Sequence, residues 1–186
     1  MRRWIASFAA LSFYLMPGAW STHNALAATI AEPRGVAEAF YRTYLQLHPM
    51  GVPISAQRAR LRPYLSPALD AALAAAERAE QDYRRKTKAS VPPLAEGDLF
   101  TSLFEGATAF TVPDCVAQAE AMHCRAQLSY LDPTTKQKVE WQDTLILVRA
   151  ASGWRIDDIA YGGRYAFGNT GTLAVTLKIL IKESKE

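Results

Sequence analysis

The spacing of hydrophobic and polar positions changes about halfway along the chain. From Arg34 to Leu47 the apolar side chains Val36, Phe40, Tyr44 and Leu47 recur at helical spacing, and His48-Pro49 ends the run. Ser55 reads as the N-cap of a second, short helix through Leu61; Pro63 interrupts it and leaves Tyr64 and Leu65 in a turn. Ser66-Pro67 then opens a third helix, a cap residue followed by proline at the first helical position. This helix is rich in alanine, with Leu69, Leu73, Ala76, Ala79/Glu80 and Tyr83 as its inner stripe. Asp70 lies near its start and Arg84, Arg85, Lys86 and Lys88 near its end, as the helix dipole favours. That basic cluster reads as a solvated helix end or as a contact for an anionic surface. Ser90-Val91-Pro92-Pro93 closes the helical half as a turn within one domain, since neither half could bury itself alone.

Beyond Gly97 to Gly106 the period falls to two. Thr108 to Val112 is a first strand, with Glu105-Gly106 at a strand end or in a solvated turn. In Cys124 to Leu131 the residues Cys124, Ala126, Leu128 and Tyr130 oppose Arg125, Gln127 and Ser129. Asp132-Pro133-Thr134-Thr135 is a turn by composition. It leads into a hairpin of Trp141 to Arg149 and Trp154 to Tyr161, joined through Ala150-Ala151-Ser152-Gly153. The last of these strands changes phase: Trp154 and Ile156 share one face, Ile159 and Tyr161 the other. One buried side can be kept only by taking in an extra residue, which predicts a bulge at Asp157-Asp158 and a bent sheet for the helices to cover. Near the C-terminus, Leu173, Val175, Leu177, Ile179 and Ile181 suit one strand face, whereas Leu173, Leu177, Leu180 and Ile181 suit a helix. Alternation favours the strand. The expected class is α+β, three N-terminal helices packed on a curved antiparallel sheet of about four strands.

The first residues carry a different message. Met1-Arg2-Arg3, an apolar run from Trp4 to Met16, Pro17-Gly18 and then Ala25-Leu26-Ala27 describe a secretory signal peptide. The run falls short of the roughly 20 apolar residues a membrane span needs. Cleavage after Ala27, or alternatively at Ala19-Trp20-Ser21, leaves no stable membrane anchor. The mature domain is then residues 28–186 and the destination the periplasm or the medium. Export removes two arginines and no acid, so the formal net charge falls from +3 to +1. Such a balance offers no general attraction to nucleic acid.

The only two cysteines, Cys115 and Cys124, read first as a disulfide in an exported chain. A metal site of Cys115, His123 and Cys124 is the competing reading, but adjacent residues of an extended chain point to opposite faces. No phosphate loop, nucleophile elbow or histidine-based metal motif is present, and no cofactor is implied.

Three helices followed by a curved meander that ends in Gly153-Trp154-Arg155-Ile156-Asp157-Asp158-Ile159 resemble the nuclear-transport-factor-2-like superfamily, a cystatin-like cone. More narrowly, the chain looks like one of its uncharacterised families of exported bacterial proteins. The stretches that carry the likeness are Gly97 to Gly106, Trp141 to Thr144, Trp154 to Tyr161, and Tyr165-Ala166-Phe167-Gly168 before Gly171-Thr172-Leu173. The resemblance implies a short C-terminal helix, against the alternation, and a pocket between sheet and helices. It also implies pairing through the open sheet face, hence a homodimer.

The polar groups expected at that pocket are Asp98, Thr101, Ser102, Glu105, Arg155, Asp157 and Asp158, with Tyr44, Trp141, Trp154 and Tyr161 as aromatic walls. The plain alternative is a bulge whose carboxylates accept backbone N–H bonds or pair with Arg155 or Arg164, with both tryptophans in the core. Enzymes of the superfamily often pair Asp with His in the pocket. The mature chain keeps only His48 and His123, neither on an expected pocket strand. The reading is therefore an exported binding or interaction module for an unknown small molecule or protein segment. The alternatives are a small lyase, isomerase or hydrolase using Asp157 or Asp158 as base with Tyr44 or Tyr161 as donor, and a periplasmic immunity or inhibitor protein.

Overall fold

The structure is a computed structural model, and it describes residues 32–88, 93 and 95–185. The signal segment and Ser90-Val91-Pro92 lie outside the described residues. Helix α1 (Pro33–Leu47) starts with proline in its first turn and stops where His48 takes a left-handed backbone, φ 40°, ahead of Pro49. It buries Val36, Ala37, Phe40, Tyr41 and Tyr44, a single stripe at spacings of three and four.

Helix α2 (Ser55–Leu61) runs into a 3₁₀ turn at Arg62–Tyr64. Ser55 is not its cap, contrary to expectation: Ile54 stands at that position, and Ser55 donates from both N–H and hydroxyl to Glu77 at 2.7 Å. Glu77 is a buried carboxylate of helix α3 (Pro67–Lys86), and it also faces Arg58 at 3.6 Å, so this acid fastens α2 to α3. Ser66 caps α3 as its sequence suggests, accepting from the Leu69 N–H at 3.0 Å.

Four strands in sequence order form one antiparallel sheet: β1 (Ala109–Gln118), β2 (Ala121–Leu131), β3 (Lys138–Ala150) and β4 (Gly153–Ala160). The first three are longer than the alternation suggested. β1 runs on past Val112 because the register slips by one residue between Thr111 and Asp114, at Val112-Pro113. Proline lacks the N–H that a regular ladder requires, so an edge-strand bulge accommodates it. β2 begins at Ala121, so the Cys115–Cys124 ring closes inside a tight hairpin, the two cysteines directly opposite and disulfide-bonded. His123 pairs with Val116 on the outer face, away from the buried Cys124, as alternation requires.

The second bulge falls at the acids. Ile146 pairs with Asp158 and Leu147 with Ile156, leaving Asp157 as the additional residue. Ile156 and Ile159, three apart, are thereby both fully buried on one side. α1, α3 and α4 (Leu173–Glu183) cover that side. The C-terminal segment is therefore the short helix that the resemblance implied, and not the strand its alternation favoured. Thr172 caps it, Leu173, Leu177 and Leu180 point inward, and Val175 and Ile179 are left outside. Isolated bridges from Leu65 to Ile156 and from Thr172 to Ala160 occupy the free edge of β4.

Candidate functional site

Between helices and sheet the space expected to be a pocket is packed. Phe40, Tyr41, Tyr44 and Phe100 are wholly buried there, their rings meeting edge to face at 5.2–6.2 Å. Phe100 belongs to the segment from Gly97 to Gly106, which has no helix or strand of its own yet buries Asp98 through Leu103. An irregular backbone can be buried only if side chains satisfy it. Two carboxylates, one amide and one tyrosine hydroxyl do so.

Asp98 accepts the Phe100 N–H at 2.7 Å on one oxygen and the Tyr44 hydroxyl at 2.6 Å on the other. The same hydroxyl accepts the Ala107 N–H at 3.0 Å. Gly106, at φ +80°, passes so close that a Cβ would lie 2.5 Å from the Tyr44 oxygen. Asp98 is 2 % exposed, and burial pushes its pKa from 3.8 to about 7 against the lowering effect of its hydrogen bonds. Burial raises the hydroxyl pKa values of Tyr41, Tyr44 and Tyr161 as well.

Asp143 is the second hub. It accepts the Ser102 N–H at 2.8 Å, the Trp141 indole N–H at 3.0 Å and the Gly162 N–H at 2.9 Å, together with the Ser102 hydroxyl. Among the described residues no cation pairs with Asp98 or Asp143, so both carboxylates rest on neutral donors. Asn169 completes the framework, donating to the carbonyls of Asp98 at 2.6 Å and Thr101 at 2.7 Å. Tyr161 donates to the Leu99 carbonyl at 2.7 Å.

The residues expected at one site thus divide. Tyr44, Asp98, Thr101, Ser102, Trp141 and Tyr161 do gather around the buried segment. Asp157 and Asp158 serve the helices: Asp157 accepts the Ser66 hydroxyl at 2.6 Å, and Asp158 accepts the N–H groups of Ile159 and Ala174 at 2.8 Å each, the latter in the first turn of α4. Arg155 bonds to the Trp154 carbonyl and to Ser152, apart from the cluster. Trp154 is half-buried beneath the Arg149 guanidinium, 5.2 Å from ring to charge.

Glu105 lies elsewhere again, in an open groove of about 450 Å³ lined by Glu96, Leu103, Phe104, Tyr165, Ala166, Phe167 and Gly168. Phe167 is 86 % exposed at its rim. The bond from the Asn169 N–H to the Ser102 carbonyl at 3.0 Å ties together the two loops that line the groove. Asp143 and Phe167 were missed as site residues in the sequence. Asp143 had left one signal, an acid at an inward position of a strand whose other inward residues are Trp141, Leu145 and Leu147.

Comparison with protein-family models, with curated proteins and with solved structures finds no match for this chain.

Proposed function

We propose that this protein is an exported binding module, of the cone type its element order resembles, and that it takes a small ligand or partner segment in the groove beside Phe167. The observation that carries this reading is an aromatic ring left 86 % exposed in the lining of a groove of about 450 Å³. Phe167 is the most exposed Phe, Tyr or Trp ring among the described residues, and such a ring beside a groove of ligand size favours an occupant. Phe104, Phe167 and Tyr165 offer apolar surface, and Glu96 and Glu105 offer negative charge. The fitting occupant has an apolar body and a cationic group. Thermal unfolding in the presence of small aromatic and aliphatic amines tests the idea. Stabilisation that Phe167→Ser and Glu105→Gln both abolish, with the ligand-free midpoint unchanged, supports it. A response that survives both substitutions, or none across the series, overturns it.

A second reading rests on the Asp98–Tyr44 pair, an acid with its pKa near neutrality beside a hydroxyl donor. Acid–base catalysis there requires the segment around Phe100 to move aside, because Asp98 is 2 % exposed. Hydrolase, lyase or isomerase turnover that Asp98→Asn removes would favour it over binding alone.

A further inference from the structure

The basic cluster that ends α3 does not stand alone. The C-terminal ends of α3 and α4 lie together, joined by a bond from the Lys86 ammonium to the Ser184 carbonyl at 3.3 Å and by a shared cleft of Arg85, Lys86, Ile181, Ser184 and Lys185. Residues 80–88 and 173–186 together hold seven basic and four acidic residues, which leaves twelve basic against fourteen acidic in the rest of 28–186. The positive charge of the domain is therefore concentrated at this end.

The composition of the patch narrows what it fits. Arg84 is paired with Glu80 and Arg85 with Asp82. Lys86, Lys88, Lys178, Lys182 and Lys185 are exposed and make no ion pair among the described residues. The negative ends of two helix dipoles account for lysines in the last turns. They do not account for Lys178, in mid-helix, nor for Val175 and Ile179, each 49 % exposed beside it. On α4 the residues Val175, Lys178, Ile179 and Lys182 share the outward face, opposite Leu173, Leu177 and Leu180.

We propose that this face of α4, with the adjoining end of α3, adsorbs reversibly to a bilayer that carries anionic phospholipid headgroups. Aliphatic side chains between lysines on a helix laid flat match the boundary between headgroup and acyl chain. A nucleic acid or other hydrophilic polyanion would use the lysines but leave Val175 and Ile179 in water. No helix among the described residues is long and apolar enough to cross a membrane, so the contact is adsorption at the surface.

Vesicle flotation of protein expressed from the full chain, its N-terminus read by mass spectrometry, tests this independently of the groove. Vesicles of equal parts phosphatidylglycerol and phosphatidylcholine should carry the protein at low salt, and vesicles of phosphatidylcholine alone should not. At about 1 M salt, where the screening length falls to about 3 Å, flotation should largely disappear. K178Q/K182Q/K185Q should lower partitioning about 100-fold, at about fivefold per charge near the surface. V175S/I179S should lower it on the same vesicles, and K136Q/K138Q, at the distant β2–β3 turn, should leave it unchanged. Thermal midpoints of all variants should match the parent, since every replaced side chain is exposed. The proposal is overturned by no flotation on anionic vesicles, by flotation that the triple variant retains, or by V175S/I179S having no effect while heparin competes fully. The last result would mark a polyanion site.

Discussion

The Ser66 hydroxyl donates to Asp157 at 2.6 Å while its oxygen accepts the Leu69 N–H at 3.0 Å. One side chain thus joins the start of α3 to the additional residue of the β4 bulge, 91 positions away. The parallel bridge between Leu65 and Ile156 holds the same junction from the backbone.

Ser66→Ala should destabilise by about 1–2 kcal/mol, the usual cost of a lost cap. Asp157→Ala should cost less alone, and the double variant less than the sum, because both changes remove the same bond. Urea unfolding of the cycle measures the coupling. Strict additivity would show that the two residues act separately.

Asp98 makes stability depend on pH in an unusual direction. Its pKa is raised from 3.8 to about 7 in the folded chain. Below about pH 4 both states hold the proton, and Asp98 contributes nothing to the pH dependence. Between about pH 4 and 7 the unfolded chain releases it and the folded chain retains it, so stability falls as pH rises, by up to about 4 kcal/mol. Asp98→Asn mimics the neutral acid and should flatten this slope, making the variant the more stable of the two at pH 8. Denaturant midpoints from pH 5 to 8 provide the check, and parallel profiles for the two proteins would refute the assignment.

Asp143→Ala strands four donors, three of them buried and each of those costing about 1 kcal/mol or more when unsatisfied, and should lose at least about 3 kcal/mol. Trp141 gives an independent readout, since its indole N–H loses its acceptor and its emission should change in the folded state. Asp143→Asn should fall between, because its amide cannot accept from every donor. A variant as stable as the parent would mean that the segment from Gly97 to Gly106 is held some other way.

Replacing Cys115 and Cys124 by serine should lower stability by about 2.5–3 kcal/mol, the effect of removing so short a ring in the chain-entropy model. Unfolding with and without reductant should reproduce the difference in the parent protein. The double variant should be indifferent to reductant.

The bulge was legible because the sequence itself changes phase, and burying both Ile156 and Ile159 demanded a remedy at the two acids. The C-terminal helix was ambiguous because Leu173 and Leu177 satisfy both periods. Tertiary packing chose between them, placing Leu180 inside and Val175 and Ile179 outside. Of the residues expected at one pocket, only part came together. Tyr44, Asp98, Trp141 and Tyr161 do converge, but on an irregular buried segment that fills the space where a pocket was expected. No local pattern announces that Phe100 will plug a cavity, since that depends on Asp98, Asp143 and Asn169 meeting from three separate regions of the chain. The groove at Phe167 escaped for a related reason, being made by two loops with no period of their own.

The two borders of the sheet are unequal. Leu65 and Thr172 already occupy β4, and on β1 the proline at 113 denies a newcomer an unbroken row of partners. Growth by annexing another chain's strand, the first step towards fibrils, is thereby obstructed at both flanks. Two copies that meet through the sheet are left with its broad open side, like stacked tiles.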